Sequence, residues 1–203
     1  MINSKASSAS RAWIGVCLAL WAFGAAAGQV YTALVTHQSG SYFIEVDTLI
    51  LAPEPAVRRL LTDYANLSLV NSAIQTSVIQ RKLRDGSYQV RTVTKACILF
   101  YCKWIRQVQN VVESQDGSIT AVVIPAKSDF HHGYARVNLW QESAGTRVLI
   151  RAEVRPKFWI PPIIGPWLLK RKLRSETLET MQNLERLALP AFLPHNTPSK
   201  SLR

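Results

Sequence analysis

Acidic residues are scarce in this chain, with 13 Asp and Glu against 24 Lys and Arg in 203 residues, which leaves a net charge of +11. An excess of that size favours anionic partners, phospholipid head groups or nucleic acid. Cysteine is scarcer still, at three residues. No second close pair exists to complete a four-ligand zinc site with Cys97 and Cys102, so no metal is expected. A nucleophile motif, a phosphate-cradling glycine loop and a spaced pair of carboxylates are all missing. With them go the motif-borne classes of enzyme, and no cofactor is expected. Beyond residue 28 charges recur too often for any apolar run to cross a bilayer.

What is present begins with a segment that has the three zones of an export signal. Met1 to Arg11 is polar with only positive charge, Trp13 to Phe23 is apolar, and Ala25 to Ala27 supplies small residues for a signal peptidase. Residues 1–27 are therefore expected to be a signal peptide cleaved after Ala27. The alternative is an uncleaved anchor, because the apolar run from Ala12 to Gly28 is near the minimum for a span. Cleavage would leave 176 residues, enough for one domain with a sizeable core. The charge would fall to +9 with the loss of Lys5 and Arg11. Export, to the periplasm, makes nucleic acid the poorer partner and an anionic membrane surface the better one.

An exported chain that keeps Cys97 and Cys102 has a disulfide candidate. If the two face each other across a hairpin whose loop is Ile98 to Tyr101, the sulfurs reach bonding distance. Two packed free thiols remain the alternative at this level.

The pattern along the chain alternates between two periods. Ser41 to Leu51 reads as a strand, and Ala52-Pro53-Glu54-Pro55 stops it. Val57, Leu60, Leu61 and Tyr64 then follow at the spacing of a short one-sided helix ending near Asn66. Extended segments are expected at Ser77–Leu83, Tyr88–Cys97, Lys103–Glu113, Ile119–Pro125, Tyr134–Gln141 and Arg147–Arg155, joined by turn signals such as Asp85-Gly86 and Asp116-Gly117. In the last of them Val148, Ile150, Ala152 and Val154 share one face. A long helix is expected from Pro166 to about Leu189, with Leu178, Met181, Leu184 or Glu185, and Ala188 on a side that is apolar except near its end. The tail 190–203 carries three prolines and is expected to be disordered.

This order of one strand, a short helix, about six meander strands and a long closing helix resembles the helix-grip fold of the START-like (SRPBCC) superfamily. That superfamily includes polyketide cyclases, coenzyme Q-binding proteins and lipid-transfer domains. The resemblance rests on the first strand running into APEPAVRRLLTDY and on the closing FWIPPIIGPWLLKRKLRSETLETMQNLERLA, and it covers Ser41 to Leu189. The fold class expected is α+β, a curved antiparallel sheet wrapped around the C-terminal helix. The resemblance implies one ligand-binding domain, residues 28–189, with an internal cavity for a lipid or other apolar small molecule.

For such a ligand, Arg91, Arg106 and Arg136 are candidates for an anionic head group, Tyr134 for a polar contact, and Ile150, Leu178 and Met181 for the apolar wall. The absence of catalytic spacing favours a carrier over an enzyme. If the chain is instead a cyclase-like enzyme, Asp129, His132 and Tyr134 are the residues available for acid–base work. A structural partner in an envelope complex is a third reading. His131 and His132 are read as a surface turn, because neighbours on a strand point to opposite faces and cannot easily share one ion.

The stretch FWIPPIIGPWLLKRKLR sets apolar residues directly before a cationic cluster. Trp159, Ile160, Ile163 and Ile164 are suited to the acyl boundary of a membrane, and Lys170, Arg171, Lys172 and Arg174 to anionic head groups. The plainer reading makes the same residues the lid of the core and a solvated helix face.

Overall fold

The computed structural model describes residues 28–98, 101–160 and 165–189. The expected signal peptide, the expected tail, Ile163 and Ile164 lie outside them.

Two strands open the fold, β1 (Gln29–Gln38) and β2 (Ser41–Ile50). The first is absent from the sequence reading, which begins the domain's elements at Ser41. Its signal is the turn between them: Ser39 and Gly40 have φ of 50° and 81°, both in the left-handed region that a two-residue hairpin turn of matching twist requires. Helix α1 (Glu54–Thr62) follows, with Pro53 at its N-cap and Val57 fully buried. Six strands then form the meander: β3 (Ile74–Lys82), β4 (Tyr88–Ile98), β5 (Tyr101–Glu113), β6 (Ile119–Val123), β7 (Phe130–Glu142) and β8 (Gly145–Pro156). The chain closes on α2 (Gly165–Ala188).

All eight strands form one antiparallel sheet in the order β1-β2-β8-β7-β6-β5-β4-β3, with β1 and β3 as free edges. Two of the meander turns repeat the same chemistry. In Asp85-Gly86-Ser87 and Asp116-Gly117-Ser118 the aspartate Oδ1 accepts from both the backbone N–H and the hydroxyl of the serine. Those bonds hold both carboxyls below the usual aspartate range.

The β4–β5 ladder pairs Cys97 with Cys102 and continues one pair further to Ile98 and Tyr101, so the expected four-residue loop is shorter than the spacing suggested. The cysteines are joined by a disulfide. Strand β7 reaches back to Phe130 and takes in His131 and His132, which are therefore in a strand and not in a turn. A register irregularity between Phe130 and His132 sits at this position.

One face of the sheet is covered by α1 and α2. Val46, Ile50, Val57, Val148, Met181 and Leu184 form the centre of the core. Val57, Val148 and Leu184 are fully buried, each worth about 1.5–3 kcal/mol on transfer from water. Polar ties fix the same half of α2. Asn71 Nδ2 donates to Thr180 Oγ1 at 2.9 Å, Ser72 N–H to Glu179 Oε1 at 3.2 Å, and Asn183 Nδ2 to the Val70 carbonyl at 3.2 Å. Among the described residues, the hydrogen bonds joining α2 to other elements all fall between Glu176 and Glu185.

Candidate ligand site and its two faces

Strand register decides which side chains meet the helix. Tyr42, Ile44, Val46, Thr48 and Ile50 of β2 pair with Val154, Ala152, Ile150, Val148 and Thr146 of β8. Since Val46, Ile50 and Val148 are core, these partners share the helix-facing side. Ile150 lies against the core cluster that also contains Met181. Leu178 and Met181 line a cleft of about 360 Å³ between β1, β2 and α2, whose other walls include Val30, Thr48 and Ile50. Of the proposed ligand residues, the apolar ones thus come together.

The polar ones do not. Val90 and Val111 are core, so their strands present Thr92 and Gln109 to the helix side, and Arg91 and Arg106 to the other. Arg91 and Arg106 line a depression of about 390 Å³ on the outer face, with Lys127 and Asp129 beside them. Asp129 Oδ2 accepts the Arg106 N–H at 2.8 Å. Tyr134 pairs with Glu153 on the outer side of β7, in a separate depression of about 280 Å³ with Leu34 and Phe43. Arg136 also faces outward and donates from Nη2 to Asp116 Oδ2 at 2.7 Å. The expectation that these four side chains head the interior is corrected by parity: Arg91 and Tyr134 adjoin the buried Val90 and Gly133, Arg106 is five residues from buried Val111, and Arg136 adjoins Val137, which packs against the core. His132 is outward too, with Nε2 3.8 Å from Glu153 Oε2. Asp129, His132 and Tyr134 therefore do not converge on the helix side. Among the described residues no group of three His, Cys, Asp or Glu is placed to hold a metal ion.

Of the polar residues that the poor alternation of β4 and β5 allows to face inward, Gln107 is the one that does, with Thr92, Lys103 and Gln109, which the sequence reading passed over. Thr92 and Gln107 are register partners, and Gln107 Nε2 donates to Gln109 Oε1 at 2.6 Å. Further along the same side Lys103 places its ammonium 5.3 Å from the Phe158 ring centroid. The signal that finds them is the phase of Val90 and Val111, counted outward along each strand. These residues lie toward the first half of α2, where Leu168, Leu169 and Leu173 are only half-buried. Burial along α2 is thus uneven, deep at Met181, Leu184 and Ala188 and shallower in the first turns.

An antiparallel meander puts alternate turns at opposite ends. The β3–β4, β5–β6 and β7–β8 turns carry Asp85, Asp116 and Glu142, and α1 brings Glu54 and Asp63 to the same end. At the other end lie the disulfide-pinned β4–β5 hairpin, the connection from β6 to β7, the segment after β8 and the start of α2. Backbone bonds join three of these: Asp129 N–H to the Arg106 carbonyl, and Lys157 N–H to the Asp129 carbonyl, both at 2.9 Å. That end carries Lys95, Lys103, Lys127, Lys157, Lys170 and Arg171, with Asp129 as its acid. It also carries Trp159, Trp167 and Trp104, exposed by 78%, 60% and 55%. Lys95 lies over Trp104 and Arg171 over Trp167 at 5.6 and 5.8 Å. Of the basic cluster on α2, Lys172 pairs with Glu176, while Arg171 and Arg174 are exposed.

No protein-family model and no curated protein matches the chain. Solved structures do match its fold. A START superfamily protein from Mycobacterium smegmatis aligns at 18% identity over 73% of this chain and 98% of its own, with a TM-score of 0.56. A STAR-related lipid transfer protein from Xanthomonas axonopodis aligns at 14% identity over 79% and 99%, TM-score 0.58. An aromatase/cyclase from Streptomyces sp. R1128 aligns at 11% over 73% and 94%, TM-score 0.59. The agreement spans nearly the whole of each of those chains, and it places a curved, unclosed antiparallel sheet around a long C-terminal helix: the chain has the helix-grip fold of the START-like superfamily.

Proposed function

We propose that this chain is an exported, periplasmic binding or transfer protein for a lipid or other apolar small molecule, held between the sheet and α2. The observation that carries the reading is the apolar cleft of about 360 Å³ at Leu178 and Met181, within the size range of small-molecule sites. The half-buried Leu168, Leu169 and Leu173 in the first turns of α2 support it, since an apolar ligand against them would complete their burial. Gln107 and Gln109 on that wall are suited to hydrogen-bond the polar end of such a ligand.

The ligand is exchanged at an anionic membrane surface. Trp159 and Ile160, with Ile163 and Ile164 next in sequence, provide the apolar contact, and Lys170, Arg171, Lys172 and Arg174 the cationic one. The cluster of Lys95, Lys103, Lys127, Lys157, Lys170 and Arg171 at the end that carries the exposed tryptophans supports this orientation, because it attracts that end to an anionic surface. The disulfide fits an oxidising compartment.

Native mass spectrometry of the protein purified from its own host tests the ligand. A bound mass that extracts into organic solvent is expected, and Leu178→Trp, at a half-buried position lining the cleft, should lower its occupancy while circular dichroism stays unchanged. No bound mass and no uptake from a lipid extract would defeat the reading, and a co-purifying protein in the absence of lipid would favour a structural role in an envelope complex.

A further inference from the structure

The main-chain nitrogen of Gly28 lies 2.9 Å from Oε1 and 2.9 Å from Oε2 of Glu185. Gly28 is also the residue directly after Ala25-Ala26-Ala27, where the leader is expected to be cut. We propose that processing after Ala27 converts this nitrogen into an α-ammonium gripped by both carboxylate oxygens of Glu185, an ion pair that ties edge strand β1 to α2. The inference rests on the export reading above and adds to it a defined first residue with a defined partner.

Three observations support it. A peptide nitrogen has a single N–H to divide between two oxygens at equal distance. An ammonium has three, and can give one to each oxygen with one to spare. Charge on both partners also makes such bonds roughly twice as strong as neutral ones.

Position 28 accepts glycine alone. A Cβ there would sit 2.3 Å from the Leu49 carbonyl oxygen and 2.1 Å from Glu185 Oε2. The backbone oxygen cannot move aside cheaply, so the nitrogen reaches the carboxylate only because the residue has no side chain. The sequence thus places a glycine where cutting occurs and where the close approach demands one.

The pair is partly shielded from water. Gly28 and Glu185 are both half-buried, and both line the cleft that holds Leu178 and Met181. The other charged side chain lining that cleft is Arg186, whose Nη2 donates to Asn183 Oδ1 on its own helix at 3.3 Å. Before processing, Glu185 has a neutral amide as partner, and the seam between β1 and α2 is weaker. After it, the edge strand is fastened along one wall of the cleft.

The test uses the full chain with its own leader, produced in a bacterium that has a periplasm, and the processed protein recovered from it. Intact mass should correspond to residues 28–203. Limited acylation of the folded protein near pH 7, mapped by peptide mass, should modify the Gly28 amine about tenfold more slowly in the parent than in Glu185→Gln, the effect of a rise of about one pKa unit. Glu185→Asp, whose shorter side chain loosens the grip, should also react faster, and it serves if the glutamine variant does not fold. Glu179→Gln, on the same helix, should react as the parent does. The stability difference between parent and Glu185→Gln should be complete below the ordinary α-amino value of about 7.7 and disappear as pH rises through the higher folded value. A retained leader, or a cut at another bond, overturns the first residue and the export reading together. A cut after Ala27 followed by equal labelling of parent and both Glu185 variants overturns the ion pair and leaves export standing.

Discussion

Arg147 lays its guanidinium side-on against the carboxylate of Asp47, with Nε 2.8 Å from Oδ1 and Nη2 2.8 Å from Oδ2. The pair bridges β8 and β2 on the outer face, and the Tyr31 ring of β1 covers it, its centroid 4.6 Å from the guanidinium carbon. Three adjacent strands at the β1 edge are joined through one side chain.

The hydrogen bonds from Arg147 hold the Asp47 carboxyl below the usual aspartate range. A carboxyl lowered in the folded state contributes stability that is complete above its unfolded value of about 3.9 and is lost as pH falls through the folded one. Urea midpoints measured as pH is lowered below about 4 should therefore fall more steeply for the parent than for Arg147→Gln. Asp85 and Asp116 contribute a slope of their own to both proteins, so the comparison is between the two slopes. Equal slopes would show that the pair does not survive in solution.

Thiol labelling of the unfolded, unreduced protein should find Cys97 and Cys102 blocked. Replacing both by serine should cost about 2 kcal/mol on the chain-entropy account of a six-residue ring. The loss should be read as a lower denaturation midpoint with an unchanged slope.

Leu184 is fully buried between the sheet and α1. Leu184→Ala should destabilise by about 3 kcal/mol, the transfer and cavity cost of a leucine in a packed core. Leu173→Ala, at a half-buried position, should cost less than half of that and should lower lipid occupancy instead. Equal costs at the two positions would mean that the interior is packed evenly, against the carrier reading.

Binding to anionic vesicles should weaken on neutralising Lys170, Arg171 and Arg174, by about 1 kcal/mol for each charge near the surface. Lys172 should matter less, because Glu176 already pairs with it. Added salt should act in the same direction. Trp159→Ala should reduce binding without removing the salt dependence, since it touches the apolar contribution alone. Co-sedimentation that is unchanged after all four cations are neutralised would make the segment a lid of the core.

How far the sequence carries the fold can be seen at particular elements. The alternation of Val148, Ile150, Ala152 and Val154 marks the core face of β8, and the Leu178, Met181, Leu184, Ala188 period marks the buried side of α2. Both patterns are local consequences of burying one side of a regular element. Strand β1 is less legible because it is an edge: Val30, Tyr31 and Leu34 are all exposed, so its apolar residues do not alternate with burial.

The sequence alone determined the order of elements from Ser41 onward, the basic excess and the apolar sides of β8 and α2, and it offered Cys97 and Cys102 as a candidate pair, because each follows from spacing along one segment or from residue counts. It did not determine where Arg91, Arg106, Tyr134 and Arg136 point. On strands that mix polar and apolar residues on both sides, one step of register exchanges the faces, and only pairing with Val90, Val111 and Val154 fixes that step. Tertiary structure alone also brought Glu185 to the nitrogen of Gly28, 157 residues away in the chain, since no local pattern encodes a contact between the residue before a strand and the last turn of a helix.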